Sequence, residues 1–98
     1  MATGLKFKDR LEGSNFSPWK ERMALLLEVN EAWEITSNNV ASLTDATLLV
    51  AHKKKDVNAR RLILDGVKDH IIPHLSRKTT AREMWEALKK LYQSDNQN

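Results

Sequence analysis

Cysteine is absent from this 98-residue chain, which excludes disulfides, cysteine zinc sites and thiol catalysis. Glycine and proline are scarce, three and two residues, which disfavours all-β and collagen-like chains and favours helices. No apolar run approaches the ~18 residues of a membrane span. The first residues hold no apolar stretch of signal-peptide length, and Ala2 stands where myristoylation needs glycine. The expected compartment is therefore the cytoplasm, with no membrane partner. Asn15-Phe16-Ser17 matches a glycosylation sequon, but without a secretory signal it is read as unmodified.

What remains is the profile of a soluble globular chain, with 41% hydrophobic and 30% charged residues. The length fits one domain spanning residues 1–98. Charge is unevenly spread. Residues 1–50 carry five basic and seven acidic side chains, net −2, whereas residues 51–98 carry eleven and six, net +5. Such asymmetry suits an acidic partner or head-to-tail contact between copies of one chain.

Residues 5–11 alternate, with Leu5, Phe7 and Leu11 on one parity and Lys6, Lys8 and Arg10 on the other. Period two predicts an extended arm with one apolar face, ended by a turn at residues 13–15, so that 1–15 form arm and turn. Ser17 is expected to cap the first helix, with Pro18 at its first position. Trp19, Met23, Leu26 and Leu27 recur at helical spacing, Leu25 and Val29 widen that face, and the helix should fade near Asn30. Trp33 and Ile35 should fold back in a short turn, and residues 36–43 read as a loop. Thr44 is expected to cap a long helix that ends near Gly66, its apolar face made by Leu48, Ala51, Ala59, Leu62, Ile63 and Val67. A short helical turn over 68–72 should stop at Pro73. Thr80 and Glu83 form a capping box ahead of the stripe Met84, Trp85, Leu88, Leu91 and Tyr92. Residues 93–98 read as a frayed tail. The sum is an all-α fold, a compact bundle of four to five helices with an extended N-terminal arm.

Catalysis finds little to stand on. There is no Gly-rich phosphate loop, and no spacing forces two carboxylates together, so the chain is read as a non-enzyme without cofactor or metal. His70 and His74 are four apart, but Pro73 lies between them and no glutamate follows His70, against a metal site. The densest basic run is His52, Lys53, Lys54 and Lys55, followed by Arg60 and Arg61; it fits RNA phosphates or a solvated helix face, with Asp56 inside it and no interleaved aromatics. Aromatics at helical spacing usually form core, yet three tryptophans in so small a domain also suit a partly exposed aromatic surface.

Two segments carry a resemblance. Leu11-Glu12-Gly13-Ser14-Asn15-Phe16-Ser17-Pro18-Trp19, then Met23, the Leu25-Leu26-Leu27 run and Trp33-Glu34-Ile35, resembles the start of Gag polyproteins of copia-type LTR retrotransposons. Thr80-Ala81-Arg82-Glu83-Met84-Trp85-Glu86-Ala87-Leu88, followed by Leu91-Tyr92, is similar to that family's Thr-Ala-x-Glu-hydrophobic-Trp-x-x-Leu segment. The resemblance runs from Phe7 to Tyr92. It implies a helical, capsid N-terminal-domain-like region that packs against copies of itself around the element's RNA and has no active site. The chain departs from a full Gag in ending soon after Tyr92, where the family continues into further capsid helices, and in lacking the cysteines of a zinc knuckle. It therefore reads as a truncated or host-domesticated copy.

The combined expectation is a homo-oligomer that buries an aromatic and aliphatic patch of Phe7, Leu11, Phe16, Trp19 and Trp33 against another copy. Glu28, Glu31 and Glu34 would then face the basic second half of the neighbour. The alternatives are an RNA-binding module using Lys53, Lys54, Lys55, Arg60 and Arg61, and a peptide-binding adaptor with a groove near Trp19 and Trp33.

Overall fold

The computed structural model describes residues 9–37 and 45–93. Leu5, Phe7, Thr44 and the tail from Ser94 lie outside them, as does the expected loop from residue 38. Helix α1 spans Phe16–Val29, α2 Trp33–Ser37, α3 Ala46–Asp65, α4 Ile72–Leu75 and α5 Ala81–Tyr92; a 3₁₀ turn, Asp69–Ile71, leads into α4. The all-α reading holds. Among the described residues the one extended pairing is a parallel bridge between Leu11 and Val67. The Leu11 N–H donates to the Gly66 carbonyl (2.8 Å), and Leu11 accepts from the Lys68 N–H (2.9 Å).

The start of α1 differs from expectation. Asn15, not Ser17, is the N-cap residue, and Pro18 is the third residue of the helix, still within its first turn. There its missing N–H is harmless, because first-turn N–H groups have no helical acceptor. The Asn15 side chain serves the turn instead: it accepts from the Glu12 N–H (2.9 Å) and donates to the Arg10 carbonyl (3.0 Å). At the other end, Glu31 takes a left-handed φ of 58°. Its N–H reaches Glu28 O (3.0 Å), and the Ala32 N–H reaches Leu27 O (2.8 Å). This is a Schellman turn with glutamate where glycine is usual. It drops the chain into α2, which absorbs Thr36 and Ser37 from the expected loop.

Asp45 caps α3, accepting from Thr47 N (2.8 Å) and Leu48 N (3.3 Å). The helix runs unbroken through the lysines to Gly66, as expected. Pro73 does not stop the following turn; it lies in the first turn of α4, where proline fits. Thr80 caps α5, its hydroxyl accepting from Glu83 N (3.1 Å). Glu83 reaches back one residue further than a standard box, to the N–H (2.9 Å) and hydroxyl (3.1 Å) of Thr79. The Thr79 N–H, then its hydroxyl, with Lys78 nearby, hold the Glu83 carboxyl below a glutamate's ordinary range.

A second carboxylate serves the same helix start. Asp56 of α3 is buried; its Oδ1 accepts from Ala81 N (2.8 Å), its Oδ2 from Arg60 Nε (2.9 Å). It thereby fastens α3 to the first turn of α5 through a donor that has no partner within its own helix. The core comprises Leu11, Phe16, Trp19, Met23, Leu27 and Ala32 from the first third of the chain, Ala59, Leu62, Ile63 and Val67 from its middle, and Ile71, Leu75, Ala81, Met84, Trp85 and Leu88 beyond.

Candidate functional site

The aromatic residues expected at a surface are mostly interior. Trp19 is fully buried between Phe16 (ring centroids 5.9 Å apart) and Trp85 (5.9 Å), and Trp33 stands edge-on to Trp85 at 5.5 Å. Tyr92 closes the row against Phe16 at 6.0 Å. The indole N–H of Trp19 donates to the Gly66 carbonyl at 2.7 Å, so even its polar edge is satisfied inside. Leu11 is likewise fully buried, and Phe16 nearly so; Trp33 is half-buried. The expected patch is therefore corrected: Leu11, Phe16 and Trp19 close this chain's own core and present no face to a neighbour. Burial of Trp19 also removes it from any peptide groove. The physical reason is size. A domain this small needs its largest apolar side chains inside to bury enough surface. Phe7 lies outside the described residues.

The apolar surface lies elsewhere. Leu25 (62% exposed) and Val29 (79%) do not widen the buried face of α1 but stand opposite it. Two residues along a helix turn it by about 200°, which places Leu25 behind Met23 and Val29 behind Leu27. In α3, Leu48 (55%), Leu49 (45%), Val50 (58%) and Val57 (48%) are bare, and Ala51 is exposed as well. Leu48 and Ala51 share the angular position of the buried Ala59 and Leu62, but they are exposed. The geometry explains this. Helix α3 runs antiparallel to α1, with Gly66 against Trp19 and Asn58 against Asn30 at the end of α1 (Nδ2 to Oδ1, 3.4 Å). Residues before Asp56 continue past that end as an arm. Leu91, expected in the stripe of α5, is also exposed, at 46%.

The basic run divides. Lys53, Lys54 and Lys55 are exposed on the arm and hold no ion pair among the described residues. Arg60 is committed to Asp56, and Arg61 reaches Asp65 (3.4 Å) and the Asn58 amide oxygen (3.3 Å). Those guanidiniums are thus engaged with α3 itself. Lys53 and Lys54 share a face with Leu49 and Val50 and line one shallow groove with them.

His70 does structural work. Its Nε2–H donates to the Glu12 carbonyl (2.9 Å) and pins the segment ahead of α1. Among the described residues no group of three potential ligands converges on a metal-sized space. Nor is any helix of that part long and apolar enough to cross a membrane.

Residues 23–98 match the profile of the family described as gag-polypeptide of LTR copia-type. The chain belongs to that family. The match covers well over half of this Gag region and includes α2 to α5 whole. Gag polypeptides are structural proteins, in keeping with the domain's architecture. No curated protein and no solved structure registers a match to this Gag region. Three residues that matter here were not singled out by the sequence: Asp56 looked like an interruption of a basic run, and Leu49 and Val50 fell outside the expected apolar face of α3. The exposure of Leu25 could have been read from its angular distance to Trp19 and Met23.

Proposed function

We propose that this copia-type Gag region is a non-catalytic self-association domain, working in the cytoplasm and joining copies through exposed aliphatic side chains. The observation that carries the reading is the arm of α3. It projects from a closed core while bearing Leu48, Leu49 and Val50 in the open. Isolated exposed leucines need no explanation, but a run of three on a projecting helix is a surface that gains from cover. The aromatic residues support the core, and the aliphatic ones support association. The test is light scattering on nuclease-treated protein over a hundredfold concentration range. A mass that climbs with concentration, and climbs less for Leu49→Ser/Val50→Ser, supports the reading. A constant monomer mass overturns it.

One observation favours a second reading, RNA contact. Lys53, Lys54 and Lys55 are bare and adjacent on the same arm. Only these three of the five expected cations are free of intrahelical partners among the described residues, so the predicted salt slope is shallow, about −2 for single-stranded RNA. Retention of a single-stranded RNA oligomer that vanishes by 200 mM salt and on Lys53→Glu/Lys54→Glu is the expected signature.

A further inference from the structure

We infer that the contact between copies is head-to-tail: the arm of α3 in one copy lies on the outer face of α1 in the next. The inference rests on the self-association reading and adds to it the two surfaces and their polarity.

Both surfaces are stripes on single helices. On α3, Ala46, Leu49, Val50, Lys53, Lys54 and Val57 recur at helical spacing and are all exposed. On α1, Glu21, Leu25, Glu28 and Val29 do the same, with Arg22 beside them and Glu31 just beyond. One stripe is aliphatic and basic, the other aliphatic and acidic. Neither set of charges is satisfied at home: Glu21, Glu28, Glu31, Lys53 and Lys54 hold no ion pair among the described residues. Ion pairs that do form on α3 and α5, Asp56–Arg60, Arg61–Asp65 and Glu86–Lys89, join residues three or four apart. The unpaired glutamates of the α1 stripe and the unpaired lysines of the α3 stripe thus lie on different helices, with Arg22 at the edge of the first.

That separation selects the mode of contact. Pairing arm with arm would set Lys53 and Lys54 of both copies together, and pairing α1 with α1 would do the same for Glu21 and Glu28. Arm on α1 places lysine over glutamate and leucine or valine over leucine and valine. In a one-way contact, as opposed to reciprocal exchange about a two-fold axis, each copy keeps one of each kind unused. The contact therefore propagates into a ring or chain instead of stopping at two. The α1 stripe offers only two aliphatic side chains and the α3 stripe four, less than the ~800 Å² per partner of a standard stable interface. A single contact is accordingly weak, and stability comes from repetition.

The experiment is sedimentation velocity of nuclease-treated protein, with helix content checked by circular dichroism. Two variants are made: Lys53→Glu/Lys54→Glu and Glu21→Lys/Glu28→Lys. Each alone is expected to weaken association roughly tenfold, since two exposed pairs become repulsive. An equimolar mixture is expected to recover it, because each variant's altered stripe now complements the other's. All positions are exposed, so the fold should persist. If wild-type protein associates and Glu21→Lys/Glu28→Lys leaves it unchanged, the head-to-tail contact is wrong while self-association stands. If the mixture stays as weak as its components, the pairing is likewise wrong. A wild-type monomer at every concentration overturns both. Lysine variants that lose only RNA retention assign the arm to nucleic acid and overturn the contact.

Discussion

The two halves of α3 are one unbroken helix with one repeating pattern, yet they live in different surroundings. Residues 56–65 bury Asp56, Ala59, Leu62 and Ile63 against α1, α2 and α5. Residues 46–55 carry a similar aliphatic load and are exposed at every position but His52. Periodicity states which face of a helix would meet a neighbour. It does not state that a neighbour exists. That depends on how far the adjoining helices extend, and α1 stops at its Schellman turn before the arm begins.

The comparison breaks most visibly under truncation of matched leucines. Leu62→Ala should cost about 2–5 kcal/mol, because a fully enclosed side chain leaves a cavity. Leu49→Ala should stay within about 0.5 kcal/mol, the ordinary range for a surface change. Urea unfolding of both variants checks this; equal losses would mean that the arm packs in solution. Next in size is Asp56→Ala, at the border between the halves. It orphans Ala81 N–H inside the protein and frees Arg60, for an expected loss of about 2–3 kcal/mol. Arg60→Ala should cost less, since Asp56 keeps its bond to α5. Glu31→Gly should stabilise by roughly 0.5–1 kcal/mol, by relieving a left-handed glutamate at the turn that ends α1. A higher melting temperature is the readout.

The smallest effect concerns the other carboxylate at the start of α5. Glu83 is held below its ordinary pKa in the fold, so its contribution is present above the ordinary glutamate range. It is lost as pH falls through the lowered value. Full exposure keeps the effect slight. Unfolding profiles between pH 6 and pH 3 should lose a little of their acid slope in Glu83→Gln. No change in slope would mean that the bonds to Thr79 do not persist in solution.

Much of the helical plan could be read beforehand because it is written locally. The cap at Thr80, the end of α3 at Gly66 and the stripe Met84, Trp85 and Leu88 each depend on residues within a few positions. Errors gathered where distant residues decide. Leu11 and Trp19 looked available for a partner until the Gly66 carbonyl, 47 residues beyond Trp19, claimed the N–H groups of both. Asp56 looked like a flaw in a basic run because its partner, Ala81 N–H, lies 25 residues away. Leu25 and Val29 are a different case: angular geometry already set them opposite Met23 and Leu27. An eye for hydrophobic residues, rather than for their rotation about the axis, put them inside.

The Gly66 carbonyl also separates two notions of where this domain begins. Family similarity starts at residue 23. The packed unit starts earlier, because Leu11 and Trp19 both donate to that one oxygen and the Trp19 ring lies against Trp85. A fragment cut at the similarity boundary would keep the whole recognised profile and lose the wedge that closes it. Its buried carbonyl would be left without either donor, and the indole of Trp85 would lose its facing ring. In this Gag region the segment most easily mistaken for a leader is part of the keystone.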